Sequence, residues 1–124
     1  MNLGITTTKR WRFIFWACLI FVLALALMPA VSGLPTTGWD KLNHLLVFAI
    51  VFLLGHQAYP ERNAAIMLGL FCYGGLIEVL QSFTPYRCAE WEDLIADSLG
   101  LIIGWGLRAC STKLSAKWLT QVEQ

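Results

Sequence analysis

Residues 74–100 read GGLIEVLQSFTPYRCAEWEDLIADSLG. On both sides of this stretch the chain is oily enough to sit in a bilayer. Within it, Glu78 and Gln81 interrupt one apolar run, Asp93 and Asp97 open the next, and Arg87 lies between the two. The fold depends on whether these groups cover a soluble domain or lie inside a membrane bundle.

Composition favours the bundle. Of 124 residues, 57% are hydrophobic and 14% charged, with a mean hydropathy of +0.61. A soluble domain this small has too much surface for its volume to hide that apolar content. The net charge of +1 gives no argument for a nucleic-acid partner, and none is expected. The six Trp suit a membrane–water boundary, with Trp39 and Trp91 at one side and Trp11 and Trp105 at the other.

Working outward, four apolar runs predict spans at about 12–28, 42–59, 64–83 and 91–108, each near the roughly 20 residues a bilayer requires. Pro29, Gly33, Pro35 and Gly38 punctuate the chain after the first run. Tyr59-Pro60-Glu61-Arg62-Asn63 makes a polar turn after the second, and Pro85 closes the third. No repeat, low-complexity tract or soluble domain is visible. The expectation is an all-α, polytopic membrane protein, one domain over 1–124, built as a bundle of four transmembrane helices.

The first run also has features of a secretory signal: Lys9, Arg10 and Arg12, an apolar stretch, then Ala30-Val31-Ser32. Its length and the flanking Pro29 and Pro35 favour an uncleaved span. Basic residues set the orientation. With a cytoplasmic N-terminus, Lys9, Arg10, Arg12, Arg62, Arg108, Lys113 and Lys117 lie inside, and only Lys41 and Arg87 lie outside. Both termini are therefore expected in the cytoplasm. Beyond Arg108, Leu114, Trp118 and Val122 fit either a short interfacial helix or a frayed end.

In this topology the unusual polar residues share the outer side. Asp40, Lys41 and His44 begin the second span; Glu78 and Gln81 lie near the end of the third. Arg87 is in the outer loop, and Asp93 and Asp97 begin the fourth span. Gly74, Glu78 and Gln81 form one helical stripe, and Asp93, Asp97, Gly100 and Gly104 another. The glycines at 74, 100 and 104 predict close helix packing, so the acids should face protein rather than lipid. An acid at mid-bilayer costs about 2.5–3.5 kcal/mol, and such groups usually pair, line water or carry function. Asp93 and Asp40 also suit helix N-termini. Glu78 lies inside a run and is expected to be protonated or paired with Arg87, Lys41 or His44.

The segments Asp40-Lys41-Leu42-Asn43-His44, Glu78-Val79-Leu80-Gln81 and Arg87 through Asp93 to Gly100 resemble the VanZ-like family of small bacterial integral membrane proteins. Its pattern joins a D-K-x-x-H start, E-x-x-Q, an arginine and D-x-x-x-N-x-x-G. Asp97 stands here where asparagine is common. The likeness is strongest over about 38–105 and implies a polar site at the cell envelope, in a bacterial inner membrane. The family takes its name from a protein associated with low-level teicoplanin resistance. Family likeness alone does not transfer that resistance.

Three readings of the cluster stand. It is a site for membrane lipids or an anionic lipid-linked envelope precursor, with Arg87 and Lys41 as donors and Glu78, Asp93 and His44 orienting them or moving protons. It is a small proton-coupled transporter using Glu78. Or it is a non-catalytic scaffold, a buried ion-pair network holding helices in register. No catalytic residue is assigned. No cofactor or metal is expected, since His44 and the acids lack a metal-binding spacing. Ser82 and Ser98 have no evident route to His44. Cys18 and Cys72 lie in spans and Cys110 at the inner boundary, so no intrachain disulfide is expected. A bridge between two copies through Cys88 leaves a homo-oligomer open.

Overall fold

Apolar stretches of about 20 residues with few breakers satisfy their backbone groups internally, which only a helix can do within one segment in lipid. The computed structural model describes residues 3–29 and 39–122. Its described residues form helices α1 (Leu3–Leu27), α2 (Trp39–Ala58), α3 (Asn63–Ser82) and α4 (Trp91–Val122). All four are long and apolar enough to cross a membrane. The protein is an all-α, multi-pass membrane protein. Residues 30–38, which hold the signal-cleavage reading, lie outside the described residues, as does the side chain of Trp39.

The helices pack into one bundle. α2 sits centrally, with its largest contact on α4 and further contacts on α1 and α3. α1 also packs on α3, so the first apolar run is a working member of the bundle. Phe15, Leu19, Phe48, Val51, Phe52, Ile66, Leu70, Ile77 and Leu101 form the apolar core. Large apolar side chains also cover the outside: Phe13 is 75% exposed and Leu68 65%. Such a surface suits lipid as the solvent.

The α2–α4 contact is close because glycine allows it. A Cβ on Gly100 would collide with the backbone carbonyl of Leu45, and one on Gly104 would lie 2.8 Å from the carbonyl oxygen of Ala49. At the other end Gly55, which the sequence reading passed over, would meet Ile66 at 2.8 Å and Phe15 at 3.0 Å. That glycine lets α1, α2 and α3 converge.

The tail corrects an expectation. Residues beyond Arg108 form neither a separate interfacial helix nor a frayed end, because α4 runs unbroken to Val122. At 1.5 Å per residue its 32 residues reach about 48 Å, well past the roughly 30 Å hydrocarbon layer. From Ser111 on, every described residue is exposed.

Candidate functional site

The polar residues gather at one end of the bundle. Three helix ends bring them there: the start of α2, the start of α4 and the end of α3. The end of α1 joins them. The Gly100–Leu45 approach decides the centre of the site. It presses the second turn of α2 against the second and third turns of α4, and the His44 Nδ1 then lies 2.8 Å from Asp97 Oδ1. The Nε2 of the same ring is 3.9 Å from Asp93 Oδ2. His44 is therefore flanked by two carboxyls one helical turn apart.

Asp97 is fully buried, at 0% exposure. Gly74 makes the room: a Cβ there would stand 2.7 Å from Asp97 Oδ2. The residue that departs from the common family pattern is thus the innermost of the cluster. An asparagine at this position would keep a hydrogen bond to His44 but bring no charge.

Of the two alternatives expected for Glu78, protonated or paired with a cation, the structure shows no cation pair. Glu78 Oε2 accepts the backbone N–H of Glu90 at 3.0 Å, and Arg87, Lys41 and His44 are not its bonding partners. The cations stay nearer the rim, beside other carboxylates. Lys41 pairs with Glu92, and Arg87 Nη1 is 3.7 Å from Asp40 Oδ2. Two carboxylate oxygens, Glu78 Oε1 and Asp97 Oδ2, are buried without a hydrogen-bond partner. Asp93 is buried in the first turn of α4, and its side chain faces His44.

The first helix contributes through its backbone. The last carbonyls of a helix have no partner within it, and in lipid they must find one elsewhere. Gln81 Nε2 donates to the Ala26 carbonyl at 2.9 Å, and Arg87 Nε to that of Met28 at 3.4 Å. Side-chain chemistry alone gives no signal for these acceptors. Glu90 and Glu92 were also missed: the sequence reading gave neither a role. Asn43 lay in view within the Asp40–His44 segment without a role.

A cavity of about 400 Å³ opens beside the cluster. Val22, Leu25, Leu46, Val47, Phe48 and Ile77 form its apolar walls; Asp40, Asn43, His44, Gln81 and Arg87 form its polar end. Lys41, Glu78, Asp93 and Asp97 do not line it. Ser82 and Ser98 donate to carbonyls of their own helices, Val79 at 2.6 Å and Leu94 at 2.7 Å. Among the described residues no group of three His, Cys, Asp or Glu side chains has a geometry to hold a metal ion. The four cysteines are unpaired, with Cys88 exposed.

The VanZ/LLP1 family model matches residues 4–111, which takes in all four helices and every residue of the cluster. The chain belongs to the VanZ/LLP1 family. An uncharacterised protein of Schizosaccharomyces pombe is 34% identical to it over 97 residues, 74% of this chain and 58% of the relative. The chain thus spans less than two thirds of that relative's length. No solved structure matches the chain. Because a relative is fungal, membership of the VanZ/LLP1 family does not by itself place the chain in a bacterial membrane.

Proposed function

We propose that this VanZ/LLP1 protein binds an anionic, lipid-linked molecule of the cell envelope at its polar end. The observation that carries the reading is the cavity's division into an apolar wall and a polar end. That shape suits a lipid: chain against Val22, Leu46 and Phe48, headgroup against Asn43, His44 and Arg87. The Arg87 guanidinium offers planar donors for a phosphate, and its ion pair with Asp40 is long enough to yield to one. His44 is held by Asp97 at its Nδ1 and lines the cavity, which suits proton transfer to or from a bound headgroup. The bias of basic residues supports an N-in, C-in orientation with this end outside, in a bacterial inner membrane. Any bearing on glycopeptide resistance would follow from the ligand's identity.

Native mass spectrometry of the detergent-purified protein tests this. The wild type should retain a polyprenyl-phosphate class lipid, and Arg87→Ala should lose it. Equal retention by both proteins would end the reading.

One observation favours a second reading, proton-coupled transport. Glu78 Oε1 and Asp97 Oδ2 are buried and have no hydrogen-bond partner among the described residues. Proton binding and release at these carboxyls would suit coupling. Flux driven by a pH gradient in proteoliposomes, lost in Glu78→Gln, would favour it; the same Glu78→Gln protein retaining lipid without flux in either form would not.

A further inference from the structure

The opposite end of the bundle holds a second groove that the family likeness does not assign. It lies between α1 and α3 and has a volume of about 420 Å³, within the usual 300–1,000 Å³ of ligand clefts. Phe15, Trp16, Leu19, Ile66 and Leu70 give it apolar walls, and Gly69 lies on its floor. From Ala65 to Tyr73 the groove runs about 12 Å along α3, within the roughly 15 Å depth of one leaflet.

Its outer end is cationic and aromatic. Arg62 lines it directly. The Arg12 guanidinium sits 4.8 Å from the Tyr59 ring centroid, and Tyr59 also lines the groove. Trp16 Nε1 donates to the Tyr59 hydroxyl at 3.1 Å, which fixes the ring. Arg12 uses only its Nε internally, toward the Ala58 carbonyl at 3.3 Å. Among the described residues neither Arg12 nor Arg62 makes an ion pair; the nearby Glu61 is exposed and makes none either. A second hollow, lined by Thr8, Lys9 and Arg12, continues this basic surface along α1.

From the joining of an apolar slot to two guanidiniums that make no ion pair among the described residues we infer that this groove is a specific site for one anionic diacyl phospholipid. One acyl chain lies between α1 and α3, and the phosphate sits at Arg62 and Arg12. Basic residues beside a gap between membrane helices select acidic headgroups, because a zwitterionic lipid carries its own compensating cation. The tail meets no better solvent in the groove than in the bilayer, so selectivity comes from the headgroup charge. This site is separate from the one at His44 and does not rest on it.

Gly69 provides a clean test. A Cβ there meets nothing within 4 Å, so a side chain can start at this position without a backbone clash, and Gly69→Leu is expected to occupy the groove that Gly69 lines. Gly75 is equally open and does not line the groove, so Gly75→Leu is the control for adding a leucine to α3. The protein is purified, exchanged into detergent containing equal phosphatidylglycerol and phosphatidylcholine, and examined by native mass spectrometry. Wild type and Gly75→Leu should each retain one phosphatidylglycerol in preference to phosphatidylcholine, and Gly69→Leu should lose it. Arg62→Gln should lower the preference roughly fivefold, the effect of one interfacial cation. Soluble glycerol phosphate should not displace the lipid, as the chain is part of the ligand. Equal retention of both lipids by the wild type, or unchanged retention by both Gly69→Leu and Arg62→Gln, overturns the inference. Diacyl lipids differ in mass from polyprenyl phosphates, so this result is distinct from that at Arg87.

Discussion

The two ends of this bundle solve the burial problem in opposite ways. At one end the interior is polar: Glu78, Asp93 and Asp97 lie buried near His44, and the cations Lys41 and Arg87 stand at the rim. At the other end the interior is apolar, with Phe15, Phe52, Ile66 and Leu70 in one core cluster, Ile66 and Phe15 close against Gly55, and Arg12 and Arg62 exposed. Stability needs only the second arrangement. Lipid penalises buried charge, so a bundle that keeps three acids inside one end has traded stability for something else. The comparison teaches where to look for function and where to look for folding strength.

Breaking the apolar end should have the largest effect on stability. Phe52→Ala empties a fully buried site between helices. It should cost about 3 kcal/mol, the low end for such a truncation, because the alternative surroundings are lipid rather than water. Thermal unfolding in detergent measures this, and the folded fraction should still retain its polar-end ligand. Gly100→Ala comes next. Its new methyl meets the Leu45 backbone, which cannot rotate away as a side chain could. About 1–3 kcal/mol should be lost, along with the register that holds His44 on Asp97, so this variant alone should harm both stability and ligand retention.

Asp97→Asn sharpens the comparison from the other side. The amide keeps a hydrogen bond to His44 and fits the same space beside Gly74. The unfolding temperature should move little, by the equivalent of about 1 kcal/mol or less, while any proton-transfer step that uses His44 should slow markedly. A large drop in stability with intact activity would instead make the cluster a scaffold. The smallest effect is expected at Lys41→Met. Its partner Glu92 is about half exposed, and such pairs contribute roughly 0–1 kcal/mol. The same melt should show almost no change.

Much of this architecture was legible before any coordinates. Apolar run lengths gave four helices, and helical spacing put Glu78 with Gln81 and Asp93 with Asp97. The end of the last helix was less legible. Hydropathy bears on where a span leaves lipid, near Arg108, whereas α4 continues to Val122 because helix formation does not stop where lipid does. The role of Asp97 was hidden for a different reason. A short motif weighs a residue by how usual it is, and burial against Gly74 is not a property of the motif.

What the sequence determined by itself is what local periodicity carries: four helices long and apolar enough to cross a membrane, and polar residues falling at one end. These follow from the 3.6-residue turn and the thickness of lipid, and neither depends on how helices pair. Only the tertiary structure decided the partners. Glu78 takes the Glu90 amide instead of a cation, His44 takes Asp97, and Gln81 with Arg87 closes the carbonyls at the end of α1. Each choice depends on the rotation and approach of neighbouring helices. Gly100 against Leu45 sets that approach through a contact between residues 55 positions apart, which no local pattern encodes.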